Sequence, residues 1–302
     1  MFLYQPSNST DVADLEVFLA CQHMWEGWDG SLWDLSHGLS GLALQSGTTG
    51  LEMPDPTFYK TRAAGVDGSL YRGHIIDEQD DLWPIKMFAN DGSAGWTRHY
   101  RAFWKTLQPG KTGLWWVVQP DGRKRSKRVR FNGLVDRSTD IDPVLTGQNL
   151  YGIKLAAEMP YWSGPVETRS FESSNLTAPS APFVLWIKSS HTLAQASITN
   201  EGDVGDFPTY KVRGPSTTAT VGLDGRYVTF PMTLASGQWV QLNTDPSDQV
   251  ALDQDGNDRS AELTSTDFAE IPPGEEVPLS ISMTGTGGVD VTVAPRYYLA
   301  VG

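Results

Sequence analysis

Apolar positions along this chain change period, and each change predicts a different element. From Leu15 to Leu44 short apolar runs alternate with Gly and Asp pairs, and Trp28-Asp29-Gly30-Ser31 reads as a hairpin closed by an Asp-Gly turn. The stretch Gly50-Leu51-Glu52-Met53-Pro54-Asp55-Pro56 breaks this pattern, because two prolines fix backbone angles and remove ladder donors. A long loop or excursion is expected to follow, ending at Gly65-Val66-Asp67-Gly68. From Ser93 to Leu107 the period lengthens: Trp96, Tyr100, Phe103, Trp104 and Leu107 recur at spacings of three and four, one apolar stripe of a helix that Pro109-Gly110 stops. The continuous run Gly113-Leu114-Trp115-Trp116-Val117-Val118 then predicts a buried strand, a Gln119-Pro120-Asp121-Gly122 turn, and a basic strand from Arg123 to Phe131. A further strand around Tyr151 to Met159 closes this half.

Beyond Tyr161-Trp162-Ser163-Gly164-Pro165 the texture changes. Short strands are predicted at Phe183 to Lys188, Tyr210 to Arg213, Tyr227 to Phe230, Trp239 to Leu242, Val277 to Met283 and Val289 to Leu299. Turns such as Leu223-Asp224-Gly225-Arg226, Ala235-Ser236-Gly237 and Pro272-Pro273-Gly274 separate them, the spacing of a β-sandwich. A chain of 302 residues exceeds what one core ordinarily serves. Two domains are therefore expected, 1–164 and 165–302.

Charge and composition sharpen that division. Residues 1–164 carry 16 Lys/Arg and 19 Asp/Glu, net −3, whereas residues 165–302 carry 7 and 17, net −10. Nine of the eleven tryptophans lie before the boundary, and only Trp186 and Trp239 after it. An acidic surface repels phosphate backbones, which disfavours nucleic-acid binding by the whole chain. The opening residues lack a basic region followed by an apolar run, and no stretch has the length to span a bilayer, so a soluble protein made in a cytoplasm is expected. Cys21, the only cysteine, excludes an intrachain disulfide and reads as a buried, inert thiol.

Chemistry-bearing patterns are few. Asp253-Gln254-Asp255-Gly256-Asn257-Asp258 with Glu262 has calcium-loop composition, but the glycine is misplaced and Glu262 falls short of the bidentate position, so a solvated hairpin turn is the better reading. His23, His37, His74, His99 and His191 show no zinc-ligand spacing. Gly38-Leu39-Ser40-Gly41 lacks the spacing that exposes a nucleophilic serine. Asp80 and Asp81, or Glu275 and Glu276, are adjacent carboxylates that on a strand point to opposite faces, an arrangement that does not favour glycoside hydrolysis. No phosphate-cradling glycine motif is present, so no cofactor, metal or catalytic residue is assigned.

Two surface readings remain. Arg123, Lys124, Arg125, Lys127, Arg128 and Arg130 form one basic cluster, read as a subunit contact or solvated sheet edge in preference to a phosphate-binding ribbon. Trp186 and Trp239 lie in predicted strands and read as sandwich core, with stacking on sugar rings as the alternative.

The order of these signatures resembles the distal tail protein family of siphophages. In the first half the resemblance rests on the helix from Trp96 to Leu107 followed by Leu114-Trp115-Trp116-Val117-Val118-Gln119-Pro120-Asp121-Gly122-Arg123-Lys124-Arg125. In the second it rests on Ile198-Thr199-Asn200-Glu201-Gly202-Asp203, Pro208, Tyr210-Lys211-Val212-Arg213-Gly214-Pro215, Leu234-Ala235-Ser236-Gly237-Gln238 and Ile271-Pro272-Pro273-Gly274. The resemblance implies a mainly β protein: an N-terminal β-sandwich with one helix and a hairpin extension that assembles into a sixfold ring, and a galectin-like C-terminal β-sandwich projecting outward. It further implies a virion location at the tail tip and contacts with tail tube protein, tape measure protein and the tail-associated hub protein. No membrane partner or catalysis is implied, and DNA is only cargo through the channel. Beside this non-enzymatic ring stand a carbohydrate-binding tail or baseplate adhesion protein that holds host glycan, and a tail-associated hydrolase.

Overall fold

A computed structural model describes residues 20–135, 141–172 and 196–302. The first half contributes β1 (Gln22–Glu26), β2 (Leu32–Asp34), β3 (Leu42–Leu44), β4 (Pro56–Thr61), β5 (Leu70–Ile76) and β6 (Gln79–Phe88). Helix α1 (Gly92–Thr106) leads into β7 (Thr112–Val118), β8 (Lys124–Leu134), the single turn α2 (Pro143–Thr146), β9 (Gln148–Ala157) and β10 (Trp162–Ser163). The second half contributes β11 (Glu167–Glu172), β12 (Ser197–Thr199), β13 (Thr209–Arg213), β14 (Ser216–Leu223), β15 (Arg226–Phe230) and β16 (Trp239–Asn243). It ends with β17 (Val250–Asp253), β18 (Glu276–Gly285), β19 (Gly288–Val293) and β20 (Arg296–Tyr297). The protein is mainly β.

Antiparallel strands of the first half run in the order β2-β1-β7-β8-β9-β6-β3. The ends of that order approach each other, since Leu35 N donates to His23 O and Leu44 N donates to Leu35 O. The sandwich-like first half thus takes the form of one sheet curled into a nearly closed barrel. Four tryptophans fill it: Trp83 meets Trp25 and Trp115 edge-on at centroid distances of 5.4 and 5.1 Å, and Trp115 meets Trp162 at 5.1 Å. All four are essentially inaccessible. Edge-to-face packing lets such large rings fill a narrow interior.

Helix α1 forms where the stripe predicts it, burying Trp96 and Phe103 against the same core, with Leu107 just past its end. The helix is anchored by Trp25 Nε1, which donates to Thr106 Oγ1 at 2.8 Å. Of the loop or excursion expected after Pro54, the structure forms an excursion that is a hairpin. Pro56 opens β4, which pairs with β5 alone in a two-stranded hairpin. A proline is tolerated as the first residue of a strand, and the glycine-bearing segment becomes the hairpin tip.

In the second half a five-stranded sheet, β11-β19-β13-β16-β17, faces a four-stranded one, β12-β18-β14-β15. Val212, Val240, Leu242, Val289 and Val291 from the first meet Val221, Val228, Phe230, Leu279 and Ile281 from the second in one core. Strand β14 went unpredicted because Ser216–Leu223 is rich in threonine and small residues; its inward positions include Ala219 and Val221. The predicted strand Phe183 to Lys188 lies outside the described residues. The Asn-Glu-Gly-Asp segment proves to be structural. Asn200, fully buried, donates from Nδ2 to Val204 O and Ile271 O and accepts from Gly202 N, so one side chain satisfies three backbone groups.

The last residues return to the first core. Strand β20 pairs with β10 in the register Trp162↔Tyr297 and Ser163↔Arg296, and Ala300 is buried in the tryptophan-lined cluster with its N–H on Leu51 O at 2.9 Å. Cys21 is a half-buried free thiol against that same core.

Candidate functional site

Strand alternation divides the six basic residues that the sequence grouped as one contact cluster. Lys127 points inward and is completely buried: its Nζ lies 2.9 Å from Asp81 Oδ2 and donates to Gln79 Oε1 at 2.6 Å and to Gly50 O at 3.3 Å. Arg125, also inward, donates to Leu299 O at 2.8 Å and Gly302 O at 2.7 Å, with its guanidinium 3.7 Å from the centroid of the Tyr297 ring. Arg123 donates to Gly302 O and pairs with Asp121, and Arg130 pairs with Glu158. Only Lys124, over Trp116, and Arg128, beside Thr112, point outward without a carboxylate partner among the described residues. Of the six residues read as a subunit contact or solvated edge, buried Lys127 and Arg125 are thus unavailable for either role and hold the chain itself together.

Replacing Arg125 with alanine is expected to release the C-terminal segment without unfolding the barrel. Hydrogen exchange of the Ala300 N–H should then accelerate on the order of tenfold, the effect of losing charge-assisted bonds, while exchange in β7 stays unchanged. Equal acceleration in both places would show that Arg125 supports the whole barrel.

The β4–β5 hairpin is the most unusual surface. Phe58, Tyr59, Leu70, Tyr71 and Ile75 are exposed by 43–58%. Neighbours along a strand point to opposite faces, so both faces of the hairpin are apolar. Phe58, Tyr71 and His74 form a small aromatic cluster, with Tyr71 Oη and His74 Nδ1 at 2.6 Å. Lys60 sits over the Phe58 ring, and Arg62 and Arg72 add positive charge toward the tip.

Trp239 is not sandwich core as expected. Val240 and Leu242 take the inward positions of β16, which turns Trp239, Gln241 and Asn243 to the outer face of the sheet. Trp186 lies outside the described residues. In the calcium-like turn, Asp253 Oδ1 accepts the N–H groups of Asp255 and Asn257, and Arg259 pairs with both Asp253 and Glu262. Its carboxylates are thus occupied by the turn itself. Among the described residues no group of three or more His, Cys, Asp or Glu side chains is placed to hold a metal.

A cleft of about 650 Å³ lies between α1 and the β2–β3 segment and is lined by Trp33, Leu39, Phe88, Arg98 and His99. Burial holds the His99 imidazole below its ordinary pKa, and its ring meets Trp33 edge-on at 5.4 Å. The nearby Ser40 hydroxyl donates to Asp34 O and Arg98 pairs with Asp91 at 2.8 Å, so neither is poised as a nucleophile–base partner of His99. Of the adjacent carboxylates, Asp81 is buried on Lys127 while Asp80 accepts from Asn132 on the opposite face. Glu276 accepts from Ser197 Oγ. No helix among the described residues is long and apolar enough to cross a membrane.

No protein-family model matches the chain, and no curated protein matches it. Solved structures do. A chain of the phage P2 baseplate in its activated conformation with Ca is 12% identical, with a TM-score of 0.55 over 91% of this chain and 98% of that one. The same baseplate with Sr gives 12% identity and a TM-score of 0.53 over 90% and 98%. The Dit protein of phage SPP1, described as a paradigm of the hub adsorption apparatus in phages infecting Gram-positive bacteria, is 14% identical, with a TM-score of 0.64 over 92% of this chain and 99% of that one. Across both β halves, this chain shares the fold of that hub protein.

Proposed function

We propose that the chain is a non-enzymatic virion structural protein at the distal end of a phage tail tube, where six copies form a ring joining the tube to the tail-tip or baseplate hub. In this reading residues 1–164 build the ring and the galectin-like residues 165–302 project from it. Tail tube protein, tape measure protein and the tail-associated hub protein are its neighbours. The observation that carries the reading, beside the shared fold, is the β4–β5 hairpin. A lone two-stranded hairpin is at best marginally stable in water, and this one exposes five large apolar side chains on two faces. Docked on an adjacent copy, both faces gain cover and the arm gains order. Lys124 and Arg128 are the members of the basic strand left to serve such contacts.

Negative-stain imaging of the purified protein is expected to reveal closed rings with a central opening. Replacing residues 57–75 with a short Gly-Ser turn should reduce these to monomers in light scattering while leaving the melting temperature nearly unchanged. Rings that persist without the arm would assign the contact to another surface; a chain that stays monomeric together with purified tube and hub proteins would reject the ring.

A further inference from the structure

The outer face of the five-stranded sheet in the second half is ordered in rows. Register places Ser170, Asp290, Lys211, Gln241 and Leu252 side by side, and in the next row Thr168, Thr292, Thr209, Asn243 and Val250. Most of these side chains are small or polar, as expected of a sheet face turned to water. Trp239 stands in the third row, beside Arg213, whose charge is taken up by Glu172 and Asp290 at 2.6 and 3.0 Å.

This tryptophan is held in place. Lys211 Nζ lies 4.1 Å from its ring centroid, and its backbone N–H donates to Gln254 Oε1, which draws the turn after β17 alongside. Beside it opens a hollow of about 390 Å³ that Lys211 does not line, bordered by Thr209, Trp239, Gln241, Asn243, Asp248 and Leu252. Thr209, Gln241, Asn243 and Asp248 converge there with one flat aromatic surface, Asn243 Nδ2 donating to Asp248 Oδ2 at 3.4 Å, while Asp253 and Gln254 of the turn after β17 complete the rim. Alternate residues of a strand are about 6.6 Å apart, so Trp239 and Gln241 sit roughly one hexose ring from each other. The volume is within the range of small-ligand sites, and the mix of an aromatic wall with a few polar groups is what orients a ligand in them.

We infer that this face is a binding site for a neutral saccharide, with Trp239 stacking on the apolar face of one sugar ring and Gln241, Asn243 and Asp248 taking its hydroxyls. Neutral sugars are specified by charge, since residues 165–302 carry a net −10 and disfavour an anionic ligand.

Saturation-transfer NMR on the full chain with maltotriose, lactose and chitotriose tests it. At least one of the three is expected to receive saturation, with a Kd on the order of 1 mM, as suits a small ligand on an open face. Trp239→Ala and Gln241→Ala should each weaken binding about tenfold or more, the scale of a lost central contact, with unchanged melting because neither side chain enters the core. The inference is overturned by the absence of transfer to all three sugars, by binding that survives both substitutions, by loss in Trp186→Ala with Trp239→Ala unaffected, or by sialyllactose binding more tightly than lactose.

Discussion

Lys127→Ala is expected to destabilise the chain by about 3–5 kcal/mol, the cost of stranding one partner of a buried ion pair. The Asp81 side chain is fully buried, so removing the Lys127 ammonium would leave its carboxylate without its cation in a water-excluded place. Gly50 makes the confinement tighter: its φ is +95°, and a side chain there would begin 2.2 Å from Asp81 Oδ1. Burial pushes the Asp81 carboxyl up and the Lys127 ammonium down, each only partly countered by the charge of the other. Both shifts run against the charged forms, so the pair is expensive to keep dry. The double variant Asp81→Leu with Lys127→Met is therefore expected to recover most of the loss. Urea unfolding followed by tryptophan fluorescence measures both. A single variant as stable as the parent would mean that water reaches Asp81.

Trp115→Ala should cost about 3–5 kcal/mol, as deletion of a large buried ring does, whereas Trp116→Ala should cost under 1 kcal/mol, as surface changes usually do. The contrast follows from period two along β7. Trp115 is fully buried between Trp83 and Trp162, so alanine opens a void that these two rigid rings cannot collapse to fill. Trp116 faces the other way, with its Nε1 on Glu26 Oε2 at 2.8 Å and Lys124 over its ring. Thermal melts of the two variants settle the comparison; equal losses would place both rings in the core.

That pair also marks how far the sequence could be read. The run Leu114 to Val118 announced a strand, but an unbroken apolar string carries no sign of which residues face in. Helix α1 was legible because five aromatic and aliphatic residues repeat at its period and a proline-glycine pair ends it. The Asp-Gly turns at Asp29-Gly30, Asp121-Gly122 and Asp224-Gly225 were legible for the same local reason, with each glycine adopting positive φ. The internal use of Lys127 and Arg125 was not. Charge alternating along a strand looks the same whether its inner members meet solvent or a carboxylate brought from 46 residues away. Likewise Trp239 was assigned inward because it is large, whereas β16 places smaller Val240 and Leu242 there. The hairpin arm was hidden by its prolines, which argue against regular structure locally but permit a strand with no sheet beside it.

The pairing of β10 with β20 bears on mechanics. The chain leaves the barrel along one strand for the second sandwich and re-enters along that strand's antiparallel neighbour, so two backbone crossings join the halves. A pull on the sandwich is divided between two covalent paths, and swivelling it about either one requires twisting the other. A single connection would act as a free pivot; this double one acts as a strut between the two halves.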